Sequence, residues 1–430
     1  DDDSDTDHTF TFVLADENVV HTNGSSYETI TIDASAIGAN GDTANINAAT
    51  ENDSKVIMKG GAGANTITLS TSANHGDTVT AGGGADTIVA GASNLTKVDS
   101  IAGGDGTDTL SFSANATVTD DAFTEVSSVE VLTSTADIEV TLTLGAEAAD
   151  AGLTTINLAG TNGTDTVTVG AGFTNALTID LDDDDTNTAA TISATNYTKN
   201  LSITAAASDL DDNASTITGG TGTDTITVTS AGTDDTLIVT GITNVEKIAF
   251  VDDGDATADT MTITTADALI ADGATMEFDA SNLSTDDFII DASAETNGKL
   301  VVKGGAGVTT ITATASDNGD DLSGGGGADT FTFTHAGFTA ADTVSGGAGT
   351  DSIILSDAST ATATVVDADF TLVTSVETVS HGNNALTITL GEKAKDAGVT
   401  TLTGGSGANK TTVGAGYTSN LSVTGAGTDT

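Results

Sequence analysis

Gly103-Gly104-Asp105-Gly106-Thr107-Asp108-Thr109-Leu110 puts a tight glycine turn, a carboxylate and the opening of an apolar strand into one short stretch. Glycine reaches positive φ without a steric penalty, so such a turn bends sharply and shows its carbonyls on one side. Leu110 then starts a run whose alternate residues point inward. The same order, Gly-Gly-x-Gly-x-Asp, a small polar residue and a large apolar one, recurs at Gly219–Ile226, Gly324–Phe331 and Gly346–Ile353. A turn-and-strand unit used repeatedly is the signature of a stacked, solenoid-like chain.

An Asp carboxylate beside several exposed carbonyls is a hard oxygen environment, and calcium is the hard cation that gathers about six to eight oxygens in flexible geometry. One turn cannot supply that number, so turns of successive coils have to stack and share each ion. Asp108, Asp224, Asp329 and Asp351 are therefore candidate metal ligands, with Gly103, Gly106, Gly219, Gly222, Gly324, Gly327, Gly346 and Gly349 shaping the loops that hold them. Taking the residue two before each apolar strand position adds Asn65, Asp77, Asp86 and Asp99 in one run, and Asp320 and Asp342 in the other, where Thr309 stands at the first rung position. The steps are 12, 9, 13 and 9 residues in the first run and 11, 9, 13 and 9 in the second. Two steps make one coil, so alternate members share an edge: Asn65, Asp86 and Asp108 on one, Asp77 and Asp99 on the other. Asp165, whose turn lacks the second glycine, reads either as a further ligand or as a plain turn residue.

A long duplication encloses these runs. Lys59–Gly63 returns as Lys303–Gly307, Gly103–Asp108 as Gly346–Asp351, Thr141–Gly145 as Thr387–Gly391 and Val169–Phe173 as Val413–Tyr417, at offsets of 243 to 246 residues. A Val-Glu pair follows three of the turns: Val129-Glu130, Val245-Glu246 and Val376-Glu377. Helical signal is confined to single turns at Ala146–Asp150 and Glu392–Asp396, while most other segments are short β-branched strands between Gly, Asn and Asp turns.

Composition narrows the function. The 430 residues include no Pro, Cys or Trp, 50 Gly, and 63 acidic against 10 basic residues, for a net charge of −53. With aromatics at 3%, the core is thin and built from Ile, Val, Leu and Ala. Such charge repels nucleic acid and anionic membranes, and its self-repulsion in a compact chain calls for bound cations. Without cysteine no disulfide can staple the fold, and metal is the alternative. No apolar run reaches the roughly 18 residues of a membrane-spanning helix, and no basic-then-apolar leader opens the chain. Asp1–Asp7 reads as a trimmed end and Gly425–Thr430 as the start of another turn, so the chain is expected to be a piece of something longer.

The histidines His8, His21, His75, His335 and His381 read as surface or turn residues, and none lies in a His-Glu-x-x-His pattern. The sequence also lacks a Gly-x-Ser-x-Gly elbow and a phosphate-binding Gly-Lys-Ser/Thr loop, so no enzyme activity is expected. The acidic run Asp182–Asp185 reads as a solvated loop, and Thr runs such as Thr330–Thr334 as strand propensity on an outward face.

The Gly/Asp turns resemble the nonapeptide of RTX proteins secreted by Gram-negative bacteria, over residues 56–112, 216–228 and 301–355. Thr-rich runs such as Thr155–Asp180 and the Val-Glu pairs are similar in style to RTX-class S-layer and giant surface proteins. The resemblance implies a parallel β-roll folded around several calcium ions, type I export and an extracellular or cell-surface location. Asn65, Thr309 and Asn409 depart from the family Asp, and Ala81 from its first Gly. The expected fold is all-β: a mostly parallel β-solenoid of RTX-like β-roll plus β-helix, with at most single-turn helices. Its expected segments are a strand-rich 1–55, a β-roll 56–115, a β-helix-like 116–300 with one RTX-like turn near 219–226, a second β-roll 301–358 and a second β-helix-like segment 359–430. The expected role is a calcium-stabilised building block of a bacterial surface layer or extracellular polymer, self-associating into a lattice or filament. Alternatives are the stalk of a calcium-dependent adhesin and the non-catalytic region of a larger secreted hydrolase. Cell-surface polysaccharide is a second candidate partner; nucleic acid and membrane insertion are not expected.

Overall fold

A computed structural model describes residues 8–16, 29–37, 42–72, 75–91, 94–134, 138–158, 164–181, 190–210, 215–229, 234–252, 254, 257–315, 318–356, 363–382, 386–405 and 409–425. His21, the run Asp182–Asp185 and the extreme ends lie outside them. The chain divides into two compact units, Asp1–Ala205 with Ala214–Thr223, and Ala206–Asn213 with Asp224–Thr430.

Both units are parallel β-solenoids, as the repeats imply. In the first, strands Thr43–Asn47, Thr66–Thr68, Thr87–Ala90, Thr109–Phe112 and Val131–Ser134 follow one another in a sheet at one strand per coil. A second sheet runs through Thr29–Asp33, Lys55–Lys59, Thr78–Gly83 and Ser100–Asp105. In the second unit, Lys299–Lys303, Asp321–Gly325 and Thr343–Gly347 make one such sheet, and Asp287–Asp291, Thr309–Thr312, Thr330–Thr334 and Ser352–Ser356 the other. Strand burial alternates residue by residue, as in Lys55–Lys59 and Thr330–Thr334.

The core follows from register. Parallel pairing without offset places like residues over like, so Ile46, Ile67, Ile88, Leu110 and Leu132 form one aliphatic column. Ile290, Ile311, Phe331, Ile353 and Val379 form an apolar column with one aromatic ring in the second unit. All ten are fully buried, and each contributes about 1.5–3 kcal/mol by leaving water. Thr and Ser take the outward positions.

α-Helices occupy Ala146–Asp150, Ala207–Leu210 and Glu392–Asp396 among the described residues, and single 3-10 turns Asp120–Phe123 and Asp367–Phe370. The first and third sit where the sequence places them. Each is capped from the preceding coil: Asp120 Oδ1 accepts the Gly145 and Ala148 amides, and Asp367 Oδ1 those of Gly391 and Ala394. The second helix, Ala207–Leu210, is not anticipated by the sequence pattern; Asp209 Oδ2 accepts the Ala206 amide at its start. His381 corrects another expectation, being buried at the end of strand Thr378–His381 rather than placed on the surface. It follows Val379 by two residues and shares its inward face. Among the described residues no helix is long and apolar enough to cross a membrane.

Candidate metal centre

The alternate spacing of the Asp residues resolves into two columns, one at each edge of the coil stack. On the first edge the Asn65 amide donates to Asp86 Oδ1 (2.6 Å), the Asp86 amide to Asp108 Oδ1 (2.8 Å) and the Asp108 amide to Glu130 Oε2 (2.8 Å). The second unit repeats the column: the Thr309 amide donates to Asp329 Oδ1, the Asp329 amide to Asp351 Oδ1 and the Asp351 amide to Glu377 Oε2, each at 2.8 Å. Asp224 donates to Glu246 Oε2 in the same way (2.7 Å). The Val-Glu pairs thus supply the carboxylate one coil beyond the last motif Asp and end the column. In the sequence alone these pairs stand out as recurring landmarks without a role. The signal was a Glu one coil length beyond each final Asp.

On this edge Asp86, Asp108, Asp329 and Asp351 each use only one oxygen. The second oxygens, Oδ2 of Asp86, Asp108, Asp329 and Asp351, are buried and have no hydrogen-bond partner. Burying a carboxylate oxygen without a partner is costly, and Oδ2 of Asp108, Asp329 and Asp351 faces the first glycine of its turn, where the Asp86 turn has Ala81. A Cβ placed on Gly103 would lie 2.5 Å from Asp108 Oδ2 and 1.8 Å from the Ser128 carbonyl oxygen; on Gly346 it would lie 2.4 Å from Asp351 Oδ2 and 1.8 Å from the Ser375 oxygen. The space a side chain would fill is therefore flanked by a carboxylate and a carbonyl. Ser128 and Ser375 hold left-handed backbone, φ 51° and 53°, as does Asn244 at 59°. That conformation is uncommon outside glycine, and in the two serines it accompanies carbonyls brought against the turn.

The other edge behaves differently. Asp77 Oδ2 accepts the Ser70 amide and Oδ1 the Ser70 hydroxyl, while Asp99 Oδ1 accepts the Asp77 amide and Oδ2 the amide and hydroxyl of Thr96. In the second unit Asp320 accepts the Leu300 amide on Oδ1 and the Thr314 amide on Oδ2, and Asp342 the amides of Asp320 and Thr339. Here both oxygens of each of these four Asp are engaged by the protein.

The remaining candidates divide similarly. Asn65 Oδ1 accepts the Ala44 amide, and the Thr309 hydroxyl donates to the Gly324 carbonyl, so both substitutes for Asp sit within the column. Asp165 Oδ1 accepts the Val140 amide (2.6 Å), a bond that the Ser215 hydroxyl oxygen makes to Ala190 two coils on, so the position does not demand a carboxylate. Gly219 and Gly222 belong to the first unit and Asp224 to the second. Gly106, Gly327 and Gly349 all hold positive φ in their turns.

Burial pushes the carboxyls of Asp77, Asp86, Asp320 and Asp329 up to about 6, against amide hydrogen bonds that pull them down. Asp99, Asp108, Asp342 and Asp351 are raised by burial as well. The next carboxylate in the column adds to this, Glu130 for Asp108 and Glu377 for Asp351.

Calcium fits the first edge by donor chemistry: hard oxygens, a buried carboxylate oxygen without a partner, and adjacent backbone carbonyls. Among the described residues no three His, Cys, Asp or Glu side chains converge on one point, so a cation here would rely on single carboxylates with backbone oxygens. Fold and columns together define a repeat protein of the parallel β-solenoid class, consistent with a β-roll. No protein family, curated protein or solved structure matches the chain.

Proposed function

We propose that the chain is a structural, non-catalytic building block of a bacterial surface layer or extracellular polymer, RTX-like in its turns and stabilised by calcium on the Asn65/Asp86/Asp108 and Thr309/Asp329/Asp351 edges. The observation that carries this reading is the four buried Oδ2 atoms without partners, repeated at equivalent rungs of both units. Asp86, Asp108, Asp329 and Asp351 would hold the ions, and calcium would supply the positive charge those oxygens lack. Asp77, Asp99, Asp320 and Asp342 act chiefly as hydrogen-bond acceptors that order their own turns. An extracellular setting suits this chemistry, because millimolar calcium there would load sites that cytosolic levels leave empty.

Self-association is part of the proposal. Strand Thr9–Val13 pairs with Thr43–Asn47, and Phe10, Phe12 and Val13 are exposed. Such a strand is a template for further pairing. Electron micrographs of purified chain in millimolar calcium should show ordered sheets or filaments. Monomeric rods under the same conditions would replace the lattice reading with that of an adhesin stalk.

A further inference from the structure

Two glutamates outside the aspartate columns share an environment that the column sites do not explain. Glu51 lies in the turn between strands Thr43–Asn47 and Lys55–Lys59, and Glu295 in the turn between Asp287–Asp291 and Lys299–Lys303. They are equivalent positions of the long duplication, and both are 0% exposed. Each turn precedes by one coil the turn that carries Asp77 or Asp320, so both stand on the hydrogen-bonded edge, away from the four partnerless Asp oxygens.

The local geometry is the same twice. Glu51 Oε1 accepts the amides of Asp53 (3.2 Å) and Ser54 (3.0 Å); Glu295 Oε1 accepts those of Asn297 (3.1 Å) and Gly298 (3.0 Å). Two backbone donors on one oxygen fix the carboxylate, so the other oxygen cannot turn toward water. Oε2 of both residues is buried without a hydrogen-bond partner. In the second turn Asn297 Oδ1 is also buried and partnerless. Two acceptor oxygens cannot satisfy each other, and a positive group is the shared requirement. No described ion pair reaches either glutamate.

We propose that turns 51–54 and 295–298 are each a calcium site, with Glu51 and Asp53 providing side-chain oxygens in the first and Glu295 and Asn297 in the second. Asp53 occupies the position of Asn297, so both copies keep an oxygen two residues after the glutamate although the residue type changes. An Asp there has no amide hydrogen to offer Glu51, which sets aside an amide-to-carboxylate bond as the shared purpose of the position. A hard cation of flexible coordination suits a turn offering a carboxylate, a second side-chain oxygen and backbone or water oxygens; magnesium, which demands a near-octahedral shell, suits it less. The charge difference predicts that the Glu51/Asp53 turn binds more tightly than the Glu295/Asn297 turn.

Calorimetric titration of the full chain with calcium chloride, with native mass spectrometry to count ions, tests this. Gln at 51 or 295 retains the oxygen that accepts both amides, so the turn survives while the anionic oxygen is lost. Glu51→Gln and Glu295→Gln should each remove one bound ion per chain, and the double variant two. An unchanged count would overturn the proposal and leave the glutamates as turn caps. The exchange variants read the same sites without touching the caps: Asn297→Asp should tighten the second site roughly tenfold and Asp53→Asn weaken the first by a similar factor. Unchanged affinities in both would likewise overturn it.

Discussion

The two edges of the coil stack use the same residue at the same spacing for different ends. On one edge Thr96 and Thr339 sit three residues before Asp99 and Asp342, and their amides and hydroxyls take up the free carboxylate oxygen. On the other edge the residues three before are Gly83, Asp105, Gly326 and Ala348, none with a side-chain donor, and Oδ2 of Asp86, Asp108, Asp329 and Asp351 is left over. An Asp column is therefore not a calcium column by virtue of its carboxylates. The local turn decides whether the protein completes them or leaves an oxygen over.

Calcium removal should separate the two edges most strongly. A ligand bound only to the folded state stabilises by about 2.7 kcal/mol per site at a free concentration one hundredfold above Kd. Four sites would then contribute on the order of 10 kcal/mol, comparable to the whole stability of a domain. Chelation should lower the melting temperature and β-signal in circular dichroism far more than any single substitution. A wild type that melts at the same temperature with and without chelator would remove calcium from the mechanism.

Substitutions sharpen the contrast between edges. Asp99→Asn and Asp342→Asn put an amide nitrogen where Thr donors now point, at a cost of about 1–3 kcal/mol each, equal with and without calcium. Asp108→Asn and Asp351→Asn should act in the opposite sense. Their Oδ1 can still accept the Asp86 or Asp329 amide, and the new nitrogen would face the Ser128 or Ser375 carbonyl. The calcium-free protein should become more stable and its calcium response smaller. Paired melts with and without calcium separate the outcomes, and matching responses at both edges would erase the distinction.

Acid should mimic calcium in its absence. Asp77, Asp86, Asp320 and Asp329 have carboxyls raised to about 6 by burial, so the folded state holds protons that the unfolded chain releases near pH 4. That stability is present in full below about pH 4 and lost as pH rises through about 6. Asp279, lowered to about 2 by Lys247 and Ser281 hydrogen bonds that outweigh its burial, titrates outside this window. The chelated protein should melt higher at pH 4.5 than at pH 7.5. With calcium the gain should shrink, because protons and ions compete for the first edge. A calcium-free melting temperature that climbs with pH over this interval would refute the linkage.

Much of the architecture was legible because its determinants are local. Alternation in Thr330–Thr334, glycine turns and the 9-to-13 residue steps specify strands, bends and coil length without reference to distant contacts. The difference between edges was written too, in Thr96-x-x-Asp99 against Gly103-x-x-Gly106-x-Asp108, but reading it requires knowing which donors reach which oxygen. Glu130, Glu246 and Glu377 were harder, since their partner lies one coil back and becomes visible only when the coil length at that point is fixed. The helix at Ala207–Leu210 rests on a cap within a four-residue segment too short to show periodicity.

The ends of the columns should respond least. Glu130 Oε2 accepts the Asp108 amide and Glu377 Oε2 the Asp351 amide, while each Glu charge helps hold the neighbouring Asp carboxyl above its ordinary range, behind burial as the main cause. Gln retains an acceptor oxygen and removes the charge. A hydrogen bond that stays in place while weakening from charged to neutral is worth about 1 kcal/mol or less, and the relieved repulsion offsets part of that loss. Glu130→Gln and Glu377→Gln should therefore leave the chelated protein within about 1 kcal/mol of wild type, and calcium at the adjacent Asp108 and Asp351 rungs should bind somewhat more weakly because the local negative charge is smaller. Glu130→Ala separates hydrogen bond from charge: it strands the Asp108 amide, and should cost about 1–3 kcal/mol with or without the ion. If Gln proves as damaging as Ala in chelator, the Glu charge itself holds the column end, and the terminal carboxylates are part of the ion-binding apparatus rather than its hydrogen-bonded boundary.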